Sequence, residues 1–193
     1  MIAAIDPGRT NMGFWCGSVK SDVQTRHIIV TTRRWERLTM AKGAPAYRGA
    51  IDVVEAEIKA LQEKPEMVVV ETQDPRNVPA RVIACSVYGY VRGLGIPVIF
   101  SDSRTKNNAI ETLAQQFGIK EELLDKELAE LKDDKKKRLR LLHVANKKNS
   151  VSVVKRLVRG TADESIFSKC KKQDDISDAL LLAIGVWIKK DSY

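Results

Sequence analysis

The chain has 193 residues, of which 44% are apolar and 30% charged, so it can bury the core of one soluble domain, residues 1–193, without staples. No apolar run reaches the roughly 18 residues of a membrane span, and Cys16, Cys85 and Cys170 are odd in number and lack metal-site spacing. The charge, +8 overall, is uneven: Lys135 to Lys172 holds 13 Lys or Arg against two acids, Asp163 and Glu164, a local +11 that leaves −3 for the rest. Such a basic region on a mildly acidic domain is the electrostatic footprint of a polyanion-binding protein.

Met1-Ile2-Ala3-Ala4-Ile5 is too short for a secretory signal and follows no Arg-rich presequence. With the cysteine usage, this predicts a reducing, cytoplasmic setting. Met1–Ile5 reads as a strand that ends in Asp6-Pro7-Gly8, a turn, with a return strand over Met12–Val19. A third strand is expected over Thr25–Arg34, and Ile51, Val54, Ile58 and Leu61 give Tyr47–Glu63 a helical spacing. Met67-Val68-Val69-Val70-Glu71 is a continuous apolar run of the kind found in a central strand, and it ends on an acid. Val78–Arg92 reads as a helix with small residues on one face, and Gly95–Ser101 as a short fifth strand.

From Ser103 to Leu142 the pattern is helical but charged, with Leu123, Leu124, Leu128 and Leu131 as its main apolar repeat. This predicts an inserted helical arm over about 104–145 rather than a second domain. A helix opening at Lys147 is expected to run through Val153, Val154, Leu157 and Val158 and to end near Gly160, followed by a loop to Lys172. The order of elements predicts an α/β domain with a mixed sheet whose first three strands are antiparallel.

The last helix carries Asp174, Asp175 and Asp178 ahead of an apolar stretch through Ile188. Asp175 and Asp178 lie three residues apart on one helix face, and Asp174 is rotated off it. An acid in the first turn can cap the helix, a role best suited to Asp174, but Asp178 is followed at once by apolar residues and needs a positive partner. If the first and fourth strands are adjacent and parallel, Asp6 and Glu71 emerge together, and the last helix can bring Asp178 and Asp175 alongside. Four carboxylates without balancing cations would repel, so the expected occupant is Mg²⁺ or Mn²⁺, held by oxygen. Two such ions beside a basic surface point to phosphodiester hydrolysis.

These residues resemble the motifs of the RuvC-type Holliday junction resolvases, in the ribonuclease H-like (retroviral integrase) superfamily, above all the poxviral and fungal mitochondrial branch. Asp6-Pro7-Gly8-Arg9-Thr10-Asn11 resembles its first-strand D-x-G-x-x-N motif, and Glu71-Thr72-Gln73 its E-x-Q motif. Lys147-Lys148-Asn149-Ser150-Val151 is similar to its K-K-x-S-V patch, and Lys172-Gln173-Asp174-Asp175-Ile176-Ser177-Asp178-Ala179 to its K-x-D-D-x-x-D-[SA] ending. The resemblance implies a ribonuclease H-like fold and a homodimer that nicks opposing strands of a four-way DNA junction symmetrically. It implies two Mg²⁺ per site, replaceable by Mn²⁺, on Asp6, Glu71, Asp175 and Asp178, with no small-molecule cofactor and no membrane. Arg9, Asn11, Gln73, Lys147, Lys148, Lys171 and Lys172 would contact DNA, Val78–Arg92 would form the dimer, and the source would be a cytoplasmic virus or a prokaryote-like cell. The same carboxylates would also serve a ribonuclease H-type or other DNA nuclease, or survive in a catalytically silent junction-binding protein. A sugar-kinase-like ATPase, whose phosphate loop Asp6–Thr10 also resembles, would need a second D-x-G loop that the sequence lacks.

Overall fold

The computed structural model describes residues 1–8, 10–25, 27–40, 45–119 and 134–191. Its five strands are β1 (Ile2–Pro7), β2 (Asn11–Ser21), β3 (Ile28–Thr39), β4 (Met67–Glu71) and β5 (Val98–Ser101). They form one sheet in the order β3-β2-β1-β4-β5, in which β1, β2 and β3 pair antiparallel and β4 joins β1 and β5 in parallel. The helices among the described residues are α1 (Ala46–Ala60), α2 (Val78–Gly93), α3 (Ser103–Phe117), α4 (Lys135–Val158), α5 (Asp163–Lys169) and α6 (Gln173–Asp191).

The pleat divides the core in two. Ala3, Ile5, Val68 and Val70 point to a layer closed by α1 and α2. Ala4, Met67 and Val69 point to a layer closed by α3, α4, α5 and α6. Since strand side chains alternate, Asp6 follows Ala4 and Glu71 follows Val69 onto that second face. β1 and β4 run in register from Ile2 opposite Met67 to Ile5 opposite Val70, so one step further Asp6 and Glu71 are neighbours.

α6 is the centre of the second layer. It lies on β1 and β2 and against α3 and α4, which is why Leu180, Leu181, Leu182, Ala183 and Ile184 are all fully buried. Burying each of the larger side chains is worth about 1.5–3 kcal/mol, so the helix is held by packing around its whole circumference rather than by an amphipathic stripe. Its first turn is fixed by Trp35, whose indole nitrogen donates to the Ile176 carbonyl at 2.8 Å and whose ring stacks on Phe167 of α5.

Four expectations change. The segment from residue 104 is not an arm over its described part: α3 buries Thr105, Lys106, Ala109, Ile110, Leu113 and Ala114, a helical stripe set among charged letters. The leucine repeat of the expected arm falls in 120–133, outside the described residues. No helix opens at Lys147, because α4 runs unbroken from Lys135 to Val158. The expected loop before Lys172 contains α5, seven residues long, anchored by the buried Phe167. β3 also continues past Arg34 to Thr39, beyond a register shift opposite Cys16 and Gly17.

Candidate active site

The site forms where β1, β4 and β5 end, the sheet edge at which open α/β folds gather functional groups. Glu71 lies opposite Ser101 of β5, and α3 starts two residues later, so Lys106 in its first turn reaches back over the strand ends. Its ammonium is 2.9 Å from Glu71 Oε1, 3.0 Å from Asp178 Oδ2 and 4.0 Å from Asp6 Oδ2. The four side chains are only 10–23% exposed.

Two glycines permit this approach. A Cβ on Gly13 of β2 would run into the Asp175 carbonyl oxygen, so glycine there lets the first turn of α6 sit directly on the hairpin. A Cβ on Gly185 would run into the Thr105 carbonyl oxygen, so glycine there lets α3 and α6 cross closely enough for Lys106 to meet Asp178.

Burial pushes the Asp6 carboxyl well above the usual carboxylate range, against the pull of Lys106, and Glu71 beside it adds to the rise. Burial also raises Asp178, again opposed by Lys106. Burial disfavours the Lys106 ammonium as well, but Asp6, Asp178 and Glu71 together outweigh that and hold it firmly protonated. Three ionised carboxylates facing one ammonium leave a formal −2, and like charges gathered in a partly buried site repel. One lysine therefore does not balance the cluster. The donor set is all hard carboxylate oxygen at a place that already holds a cation, which fits a magnesium-like ion. In the arrangement seen, no three acidic, histidine or cysteine side chains among the described residues close around one point at ligating distance. The group that the three carboxylates share is the Lys106 ammonium.

The other acids of α6 face elsewhere. Asp175 accepts from Arg37 Nε at 3.1 Å, and Asp174 accepts from Lys147 Nζ at 2.6 Å. Burial pushes Asp174 up, but the hydrogen bond and the charge of Lys147 together with smaller contributions hold it below its ordinary range, and the same hydrogen bond raises Lys147. Lys148, Lys171 and Lys172 are exposed. Gln73 donates to Glu71 Oε2 at 3.4 Å, while Asn11, just past the β1–β2 turn, is tied to Thr39 and Thr10. Arg9 lies outside the described residues.

Of the residues singled out in the sequence, Asp6, Glu71 and Asp178 are thus brought together, while Asp175, three residues before Asp178, is paired with Arg37 instead. Lys106 and Arg37 were missed. Lys106 carried a signal: it stands four residues after Asp102, the N-cap of a helix leaving the end of a parallel strand, where a first-turn side chain overlooks the sheet edge. Arg37 was hidden because β3 was expected to stop at Arg34.

This sheet order with these covering helices is the ribonuclease H-like fold in its RuvC form. The RuvC protein of Thermus thermophilus in complex with its Holliday junction substrate superposes with a TM-score of 0.62 at 14% identity, over 99% of this chain and 95% of that one. The Thermus thermophilus RuvC structure gives 0.57 at 16% identity, covering 97% and 96%. The fowlpox virus resolvase with its Holliday junction DNA gives 0.53 at 14% identity, covering 99% of each chain. No protein-family model and no curated protein matches the chain.

Proposed function

We propose that this chain is a structure-selective endodeoxyribonuclease that resolves four-way DNA junctions. The observation that carries the reading is that Asp6, Glu71 and Asp178, from three different elements, share one cation at the sheet edge, the Lys106 ammonium. It is supported by a fold shared with resolvases whose structures contain junction DNA.

Asp6, Glu71 and Asp178, with Asp175 at the margin, would hold two magnesium ions, for which manganese would substitute. Bound there, the metal would lower the pKa of an attacking water and offset charge on the scissile phosphate. The chain's own groups do the rest. Lys147 lies beside Asp174 at the rim and would stabilise negative charge developing on the phosphate, while Lys148, Lys171 and Lys172 bind the flanking backbone. Gln73 orients the Glu71 carboxylate. Arg9 and Asn11 belong to the same DNA surface in this reading.

Paired symmetric nicks, leaving 5′-phosphate and 3′-hydroxyl ends, require two such sites. The α2 face fits a homodimer contact: Val78 and Val82 are 59% and 46% exposed, and Phe100 of β5, 43% exposed, stacks on Tyr88 beside them.

Asp178→Asn tests the assignment. It is expected to abolish cleavage in Mg²⁺ and to leave junction binding intact or tighter, since it removes a negative charge near DNA. A variant that cut at the parent rate would remove Asp178 from the chemistry.

A further inference from the structure

We propose that Lys106 is the built-in counter-ion of the carboxylate cluster: its ammonium holds Asp6, Glu71 and Asp178 together in the metal-free protein and leaves that position when a divalent cation arrives, so that it sets how tightly the site takes metal. The inference rests on the metal-dependent reading above and adds a residue and a cost that the reading does not contain.

The geometry has three parts. Lys106 is the group common to all three carboxylates, at 2.9, 3.0 and 4.0 Å. An ion ligated at carboxylate distances of about 2.0–2.1 Å would have to enter the same space, and a dication beside a retained ammonium would be repelled by it. The lysine is also placed by design of the fold rather than by chance of a flexible stem. Its neighbour Thr105 is fully buried, its hydroxyl takes a hydrogen bond from Lys189 Nζ at 2.7 Å, and its carbonyl is pinned against Gly185. The Asp102 side chain caps the helix start at Thr105 N.

Two consequences follow. Without Lys106 the metal-free cluster loses its only direct cationic partner among the described residues, since Arg37 and Lys147 are paired with Asp175 and Asp174. And metal binding no longer has to displace a charge. Removing the lysine therefore destabilises the metal-free form and tightens the metal-bound one, as coupling between two ligands of one site demands.

The test is Mn²⁺ binding followed by the loss of the free-ion electron paramagnetic resonance signal, on wild type, Lys106→Met, Lys106→Arg and Asp178→Asn, together with melting temperatures in chelator and in Mn²⁺. Lys106→Met is expected to bind Mn²⁺ roughly tenfold tighter or more and to melt lower than wild type only in chelator, with Lys106→Arg close to wild type. Equal or weaker binding by Lys106→Met, with wild-type binding that Asp178→Asn weakens, would overturn this inference and leave the metal site standing. No Mn²⁺ binding that depends on Asp178 would overturn both. Should Lys106→Met fail to fold, amine acylation of wild type read by peptide mass spectrometry decides. Against the exposed Lys20 as reference, Lys106 should be protected in chelator and become several-fold more reactive in Mg²⁺. Unchanged protection in saturating Mg²⁺ would mean that the lysine stays in place and would overturn the proposal.

Discussion

Lys147 and Lys148 are neighbours in sequence with different surroundings. Lys147 bonds to Asp174, and Lys148 is exposed. If both face phosphate, replacing the two by Ala should weaken junction binding and lower the slope of log affinity against log salt by about two. Filter binding across a salt series reads this, and an unchanged slope would put the DNA path elsewhere. Asp6 and Asp178 make a second residue-scale claim. Burial raises both carboxyls, so the folded state takes up their protons before the unfolded chain does, and their ionisation costs stability as pH rises through the folded values. Metal-free protein should therefore gain stability as pH falls from neutrality toward the ordinary carboxylate range, more so than Asp178→Asn, and saturating Mg²⁺ should flatten the trend. Thermal melts in chelator check it. A wild type whose pH response matches that of Asp178→Asn would show that the Asp178 carboxyl is not raised.

At the scale of elements, the close crossing of α6 with α3 and with the β1–β2 hairpin is what assembles the site. Gly185→Ala would push the α3 carbonyl at Thr105 away from α6, at a cost of about 1–3 kcal/mol, a fall in melting temperature of several degrees. It should also cost cleavage activity out of proportion to that loss, because Lys106 and Asp178 separate. A stable, fully active variant would mean that the crossing has slack. Reading the elements from sequence worked where patterns were pure. The apolar run within Pro65–Glu71, ending on an acid, is β4, and Val78–Arg92 is α2 but for one residue. It failed where charge concealed periodicity. α3 reads as a solvated arm because Arg104, Lys106 and Glu111 interrupt a buried stripe, and one of those charges is itself buried in the site. The end of β3 is concealed by Arg33, Arg34, Glu36 and Arg37, although Trp35 among them and Leu38 just after them are buried. The acids of the site were legible because they stand at the ends of apolar runs. Their balancing cations were not, because each comes from an element whose sequence is charged throughout.

For the whole molecule, the charge distribution and the site belong to one design. The basic stretch covers α4 and the approach to α6, and the carboxylates lie where those elements meet the sheet edge. The opposite layer, α2 with the edge strand β5, presents Val82 and Phe100 to solvent, the face that the proposed dimer would use. A dimer of this kind carries two sites, which is what two coordinated cuts in a branched substrate need and what a hybrid or linear duplex does not. The most direct measurement offers the purified protein a labelled four-way junction, a linear duplex of the same sequence and an RNA–DNA hybrid, each with Mg²⁺ and with chelator. The account predicts paired nicks on opposing strands of the junction, only with Mg²⁺, and little or no cutting of the other two. Preferential cutting of the hybrid or the linear duplex, or junction cleavage undiminished in chelator, would contradict it.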